Sequence, residues 1–507
     1  MLLETSVGVV VFGLSVYYLL LKVYPKKVVP YSKSGWVENV KALSSSRQPW
    51  FFLEHALATP GRCYRLRMPT WSPFYVVADG AAARILLTSL ATEKPAIYRH
   101  FEKATQDSPT IFTMLTQDPR WRAARKGAAH AFASTKIAAA LKSDATNRKI
   151  GNAVDFLERL ARNGESFDPA ALMTELTMDI LGVAMLGGFD FGLVQGRINE
   201  MSEKLNHQKK ASLGHEFLLN LHPIHTEYAL RQANNPLRAL TLSLLPRFFA
   251  KSWFPRAAEA DAAAERNMAI SKHILDDFRE RRKTAAPDAL AAMNMSVLGH
   301  LADNTKYESD AMRIADVATF IVGGHDTTGF TLAWTLIELA RHPDILATLR
   351  LDVQAKGVDS DYLQAVIHES MRLWPVAAGG PVRSPTESIQ IKDDLVIPKG
   401  ATCFIPFLAI HRAANVKLPN EFIPGRWLEN EALDDGFEDP NISFFPFSLG
   451  ARNCVGQALA SAELRHVLAA VVSRFEFALQ ISPTPEHFLT LKPDGARLTV
   501  KIVGEYK

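Results

Sequence analysis

The sequence predicts a mainly α-helical chain with a minor β subdomain. Three observations carry this. From about residue 308 to 341 the pattern stays helical for over thirty residues, against about 11–12 for an average helix. Strand-like runs are short and few: 62–68, 74–78, 388–391 and 498–503. No low-complexity tract, long charge run or internal repeat breaks the rest.

The chain has 507 residues, 48% of them hydrophobic, enough to bury a large core. Length alone allows roughly two to four domains. A net charge of +4, with no basic patch interleaved with aromatics, gives no argument for nucleic-acid binding. The three cysteines, Cys63, Cys403 and Cys454, are too few and too scattered for a disulfide framework or a zinc site, which points to a reducing compartment.

Taken in order, Thr5 to Leu21 is a run of 17 uncharged residues. At helical rise it spans roughly 26 Å, just enough for a bilayer core. Glu4 precedes it and Lys22, Lys26 and Lys27 follow, so the positive-inside rule places the bulk of the chain in the cytosol. A cleaved signal peptide is the competing reading, but it would need a basic start and a small-residue cleavage site. Residues 1–24 therefore read as a transmembrane anchor. Pro25 and Pro30 make residues 25–38 a stiff linker. The strands at 62–68 and 74–78 are expected to pair around the turn residues 69–73. Leu240 to Trp253 is apolar but interrupted by Pro246 and two basic residues. It reads either as buried helix plus loop or as a segment dipping into a membrane surface through Phe248, Phe249 and Trp253.

Within the long central helix lie Gly323, Gly324, Thr327, Thr328 and Gly329. Each glycine there costs about 1 kcal/mol against alanine, so the weak spot has a reason, such as a ligand's close approach or a local opening of the ladder. A helix from about 361 to 374 carries Glu369 and Arg372 on one face, and Pro375 ends it. Taken alone, that pair is a surface ion pair. Near the C-terminus, Phe447-Ser-Leu-Gly-Ala-Arg-Asn-Cys454-Val-Gly456 is a turn-rich loop running into a helix expected just after Cys454. A cysteine there meets free backbone N–H groups and the positive end of the helix dipole, which stabilise a thiolate. Gly450 permits a tight turn, and Gly456 lets the backbone approach a flat ligand closely. Phe447 packs beside the cysteine and excludes water, while Arg452 can reach a carboxylate on the ligand's edge. Cys63 and Cys403, with no such context, read as small buried hydrophobes.

This loop resembles the haem-binding loop FxxGxRxCxG of the cytochrome P450 family, with every fixed position matched. Glu369-Ser-Met-Arg372 resembles the family's ExxR motif, which implies a buried network with a second arginine, here Arg426; Gly425 stands where the family usually has glutamate. Gly323 to Thr328 resembles the oxygen-activation segment. That implies Thr327 as the hydroxyl beside oxygen and Asp326 as the proton-relay acid, with His325 turned away from iron. Read alone, the segment is a helix kink with threonine back-bonded to its own carbonyls. Trp121-Arg-Ala-Ala-Arg125 is similar to the family's WxxxR helix. It implies that Trp121 and Arg125 bind one haem propionate, and that Arg383 binds the other.

The motifs follow the family's order along the chain. The resemblance therefore implies one catalytic domain from 39 to 507, a cytochrome P450 fold, with haem between the central helix and the helix after the cysteine loop. The implied cofactor is b-type haem (heme b, iron protoporphyrin IX) with Cys454 as axial thiolate, which favours O–O cleavage. The implied activity is a monooxygenase in the endoplasmic reticulum membrane. It would be single-pass with its catalytic domain on the cytosolic face, drawing NADPH electrons through NADPH–cytochrome P450 reductase. Arg120, Arg122, Lys126 and His130 read either as a docking face for that acidic donor or as a solvated face. Substrate contacts are implied at 95–116, 184–249, 320–324 and 376–381. Apolar Phe320, Val376 and Ala377, with Gly323 and Gly324, suggest a lipophilic substrate of lipid or secondary metabolism, such as a fatty acid, terpenoid, sterol or polyketide. Two alternatives stand beside this one: a reductase-independent haem-thiolate isomerase or dehydratase, and a non-enzymatic haem sensor. Both fit poorly with an intact Asp326-Thr327 pair.

Overall fold

The computed structural model describes residues 29–70, 72–202, 212–232, 235, 238, 241–242, 254–392, 395–412, 417–428 and 443–504. The expected anchor, the start of the linker, and Phe248, Phe249 and Trp253 lie outside these. Among the described residues no helix is long and apolar enough to cross a membrane.

The expected strand pair forms: β1 (Cys63–Leu66) runs antiparallel to β2 (Phe74–Val77), with Cys63 opposite Val77 and Leu66 opposite Phe74. Three short strands widen it, namely β3 (Thr92–Glu93), β5 (Val382–Pro385) and β8 (Thr402–Phe404). The sheet order is β1-β2-β8-β5-β3, in which β2 and β8 pair in parallel. Between these in sequence, β4 (Ser166–Phe167) belongs to another sheet, and β6 (Ile389–Lys392) pairs with β7 (Leu395–Ile397). At the C-terminal end, β9 (Phe475–Ile481) and β12 (Arg497–Ile502) join β4 in a second sheet. A hairpin of β10 (Thr484–His487) and β11 (Leu491–Asp494) stands apart from it. The strands expected at 388–391 and 498–503 are shifted by a residue. Strands of two to four residues, such as β3, β7 and β8, carry too few side chains to show a period in sequence.

Helices make up most of the remainder. The central helix runs Asp310–Arg341, 32 residues. Ser309 caps its start by accepting from the Met312 N–H, Asp310 and Arg341 complement the helix dipole, and Pro343 stops it. Leu332, Trp334, Leu336, Ile337 and Leu339 are all 1% exposed or less. At about 1.5–3 kcal/mol each, their burial outweighs glycine costs of about 1 kcal/mol each, so the helix stays unbroken through Gly323, Gly324 and Gly329. No local opening of the ladder occurs there.

Two of those glycines are explained by packing. A Cβ on Gly329 would lie 2.8 Å from the Thr174 Cα, and one on Gly324 would lie 2.8 Å from Leu181 Cδ1. Both neighbours belong to the helix Pro169–Met185, which crosses the central helix at this point. Gly323 meets nothing within 4 Å and faces open space. The main core fills the volume between these two helices, Asp144–Asn163, Pro255–Thr284 and Gln457–Val472; a second core lies under the five-stranded sheet. Cys63 and Cys403 belong to that second core, and burial pushes the Cys63 thiol up to about 12. They are inert hydrophobes, as expected.

Candidate functional site

A cavity of about 560 Å³ opens between the central helix, the cysteine loop and the five-stranded sheet. Its wall includes Phe320, Gly323, Gly324, Thr327, Thr328 and Thr331 of the central helix, a stripe repeating every three to four residues. Asp326 is not on that stripe. At about 100° per residue Asp326 falls outside the arc that those six residues span, so its side chain leaves the cavity. The Asp326 carboxylate is buried behind the wall, 2.9 Å from His325 Nε2. Burial alone would push Asp326 up, but the imidazole outweighs it and holds the carboxyl below its usual value. Burial opposes charge on His325 too, and the carboxylate holds that imidazole above its usual value. Thr327 lines the cavity while its hydroxyl donates to the Gly323 carbonyl at 2.8 Å, the back-bonded geometry.

On the opposite wall the cysteine loop is held by its own backbone. The Cys454 N–H donates to the Phe447 carbonyl at 2.8 Å. Gly450 has φ +73, and a Cβ there would sit 2.3 Å from the Leu87 carbonyl oxygen, so only glycine fits. The following helix begins at Gln457, two residues later than the sequence suggests, with Gly456 as its cap. Cys454 Sγ faces the cavity and accepts from the Gly456 N–H. Burial pushes the thiol up, against that N–H and the Arg125 charge. A Cβ on Gly456 would lie 3.8 Å from Phe132 and 3.9 Å from Cys454 Sγ. That is ordinary contact in the polypeptide alone, so alanine would be tolerated there until a flat ligand lay on the sulfur.

Between the two walls, four cations line the cavity: Lys94, Arg125, Arg383 and Arg452. Among the described residues no Asp or Glu lines it, and none of the four forms an ion pair. Arg452 Nε donates to Thr116 Oγ1 at 2.9 Å, and its guanidinium lies 3.8 Å over the Trp121 ring. Trp121 is thus a platform for that arginine. Arg125 donates to Asn453 Oδ1, and Arg383 Nη1 to the Val382 carbonyl at 3.1 Å. The nearby Glu93 carboxylate is taken by the N–H groups of Thr116 at 2.7 Å and Gln117 at 3.2 Å. Burial pulls Arg452 down to about 10; it also lowers Arg125 and Arg383. Lys94 is held well below its usual value by burial, then by Arg452 and Arg383. Like charges crowded around an apolar cavity call for an anionic ligand with more than one charge. A thiol on one face, a Cβ-free gap above it and cations at the rim fit the dicarboxylate of a haem.

Behind the cysteine loop, Glu369 is fully buried and accepts from Arg372 Nε (2.8 Å), Arg372 Nη2 (2.9 Å) and Arg426 Nε (2.8 Å). Trp427 Nε1 (3.0 Å) and the Ile423 N–H (2.9 Å) complete the set. The pair Glu369–Arg372 is therefore no surface ion pair. Among the proposed docking residues, Arg120 pairs with Asp118 at 2.8 Å and Glu308 at 3.2 Å, and His130 packs its ring on His300. Arg122 and Lys126 stand exposed one turn apart. Val376 and Ala377 line the cavity as expected. Among the polar lining residues, sequence reasoning missed Gln48, Lys94 and His487, whereas His225 falls in the stretch 184–249. Lys94 sits one residue before the stretch implied for substrate contacts; Gln48 and His487 carry no local signal.

Comparison with known proteins follows the same lines. The family model described as Cytochrome P450 matches residues 32–500. The chain is 33% identical over 234 residues to cytochrome P450 4F12 of Homo sapiens, covering 42% of each. To a cytokinin hydroxylase of Arabidopsis thaliana it is 36% identical over 216 residues, covering 39% of this chain and 41% of that protein. The matches thus span less than half the length of these curated relatives. The fold is similar to that of a solved cytochrome P450, with a TM-score of 0.70 at 20% identity, covering 90% of this chain and 98% of that one.

Proposed function

The chain belongs to the cytochrome P450 family, and from that premise we propose that it is a haem-thiolate monooxygenase acting on a lipophilic substrate. The observation that carries this reading is the opposition, across one cavity, of Cys454 Sγ and the Thr327 stripe, with four unpaired cations at the rim. Haem bound there supplies reductive activation of dioxygen and transfer of one oxygen atom to substrate.

The chain's own residues do the rest. Cys454 would ligate the iron, its sulfur held by the Gly456 N–H and shielded by Phe447. Arg125, Arg383 and Arg452 would hold the propionates, with Trp121 fixing Arg452. Glu369, Arg372 and Arg426 would brace the loop from behind. Thr327 would present its hydroxyl to the cavity by letting go of the Gly323 carbonyl. Asp326 and His325, buried on the far side of the central helix, would hold the proton supply out of the cavity and behind Thr327. Apolar Phe320, Val376 and Ala377 would exclude water around the reacting carbon. Arg122 and Lys126 would face an acidic flavoprotein reductase, with residues 1–24 anchoring the chain in the endoplasmic reticulum membrane.

The test is spectroscopic. Reduced, CO-bound protein is expected to show the red-shifted Soret band of thiolate ligation, and Cys454→Ala is expected to abolish it. A band that survives the substitution overturns the assignment of Cys454.

A further inference from the structure

The hairpin of β10 and β11 reaches the same cavity through His487 and the turn that follows. It is firmly seated: the Leu491 N–H donates to the Val376 carbonyl at 2.8 Å, and Trp334 Nε1 donates to the Leu491 carbonyl at 2.9 Å. His487 is only 5% exposed, yet its buried Nδ1 meets no hydrogen-bond partner among the described residues, and its Nε2 is the nitrogen that lies beside Gly379. A buried imidazole left unpaired costs free energy, so such a group implies a partner that is not part of the polypeptide.

The partner's chemistry can be read from the surroundings. Gly379 separates His487 from Gln48. The position a Cβ would take there is 2.9 Å from Gln48 Oε1 and 3.3 Å from His487 Nε2, so glycine leaves both groups room. Gln48 spends an N–H on the Leu43 carbonyl at 3.1 Å, which leaves its amide oxygen as an acceptor toward the cavity. Burial alone pushes His487 down to about 4, and no charged group contributes. The ring is therefore neutral, with one nitrogen donating and the other accepting. An acceptor and a neutral donor side by side complement a hydroxyl group, which gives one hydrogen and takes one. They do not complement a carboxylate, which needs donors and charge.

We infer that the cavity selects a lipophilic substrate bearing a neutral hydroxyl, whose O–H donates to Gln48 Oε1 while its oxygen accepts from His487. This rests on the monooxygenase reading only in taking the cavity's occupant to be the substrate. It deepens that reading by choosing alcohols over free acids.

The probes are 1-dodecanol, its methyl ether and dodecanoic acid. Their binding to the haem-loaded full chain is followed by spin-state titration and, independently of iron, by equilibrium dialysis. The ether keeps an acceptor for His487 but has no proton for Gln48, so the one lost hydrogen bond of about 1 kcal/mol predicts dodecanol binding about fivefold tighter than the ether. Gln48→Leu is expected to lose about fivefold for the alcohol and nothing for the ether, His487→Leu to lose about fivefold for both, and His487→Gln to restore most of that loss. Equal alcohol affinity in the wild type and both leucine variants overturns the inference, as does tightest binding of the acid. Gln48 and His487 lie in separate segments, so misfolding of one variant leaves the other decisive. A missing thiolate band with the alcohol preference intact by dialysis would sink the monooxygenase reading alone. A normal band without the preference would sink only this one.

Discussion

Glu369 accepts five hydrogen bonds from four residues while fully buried, and two of those residues are the buried arginines Arg372 and Arg426. Removing it takes a buried carboxylate away from both guanidinium groups. Glu369→Ala is expected to cost about 3–5 kcal/mol by urea denaturation, far from the about 0–1 kcal/mol of an exposed pair. His325 and Asp326 make a pH-dependent contribution. The Asp326 part is present above its ordinary value of 3.8 and is lost as pH falls through the lowered value. The His325 part is complete below 6.5 and is lost as pH rises through the raised one. As pH rises above 6.5, stability is thus expected to fall more steeply in the wild type than in Asp326→Asn; parallel denaturation curves would remove the pair. Cys454 was legible because its loop is contiguous and each residue has a local reason. The burial of Asp326 was not, because it depends on the phase of the helix against a cavity that no single segment displays.

The central helix separates two roles that sequence shows only as adjacent glycines. Gly329→Ala drives a Cβ to 2.8 Å from the Thr174 backbone, which cannot move aside without moving its helix. It is expected to lower stability by about 1–3 kcal/mol, the range for overpacking. Gly323→Ala meets open space, so in the haem-free protein it is expected to stabilise by up to about 1 kcal/mol through helix propensity. Chemical denaturation of the two variants side by side gives opposite signs if this division holds. The length of the central helix was readable from its period. Most of the sheet was not: β3, β5 and β8 come together from residues nearly three hundred positions apart.

At the scale of the molecule, the cavity is a meeting place of segments from residue 48 to residue 490. That is why Lys94, Gln48 and His487 had no signature: each is ordinary in its own neighbourhood and chemical only in company. The four cations make the point energetically. Lys94→Met removes a buried amine whose charged form burial, Arg452 and Arg383 all disfavour, so it is expected to raise the melting temperature of the haem-free protein and to narrow its gap from the haem-loaded form. An unchanged gap in calorimetry would mean the crowding is relieved by water. The same crowding bears on the living cell. A chain whose rim repels itself until a dianion arrives leaves a larger fraction unfolded while it waits, and proteases remove that fraction. Its abundance is therefore expected to follow the supply of porphyrin. A cell short of iron would lose the enzyme by turnover rather than accumulate it empty.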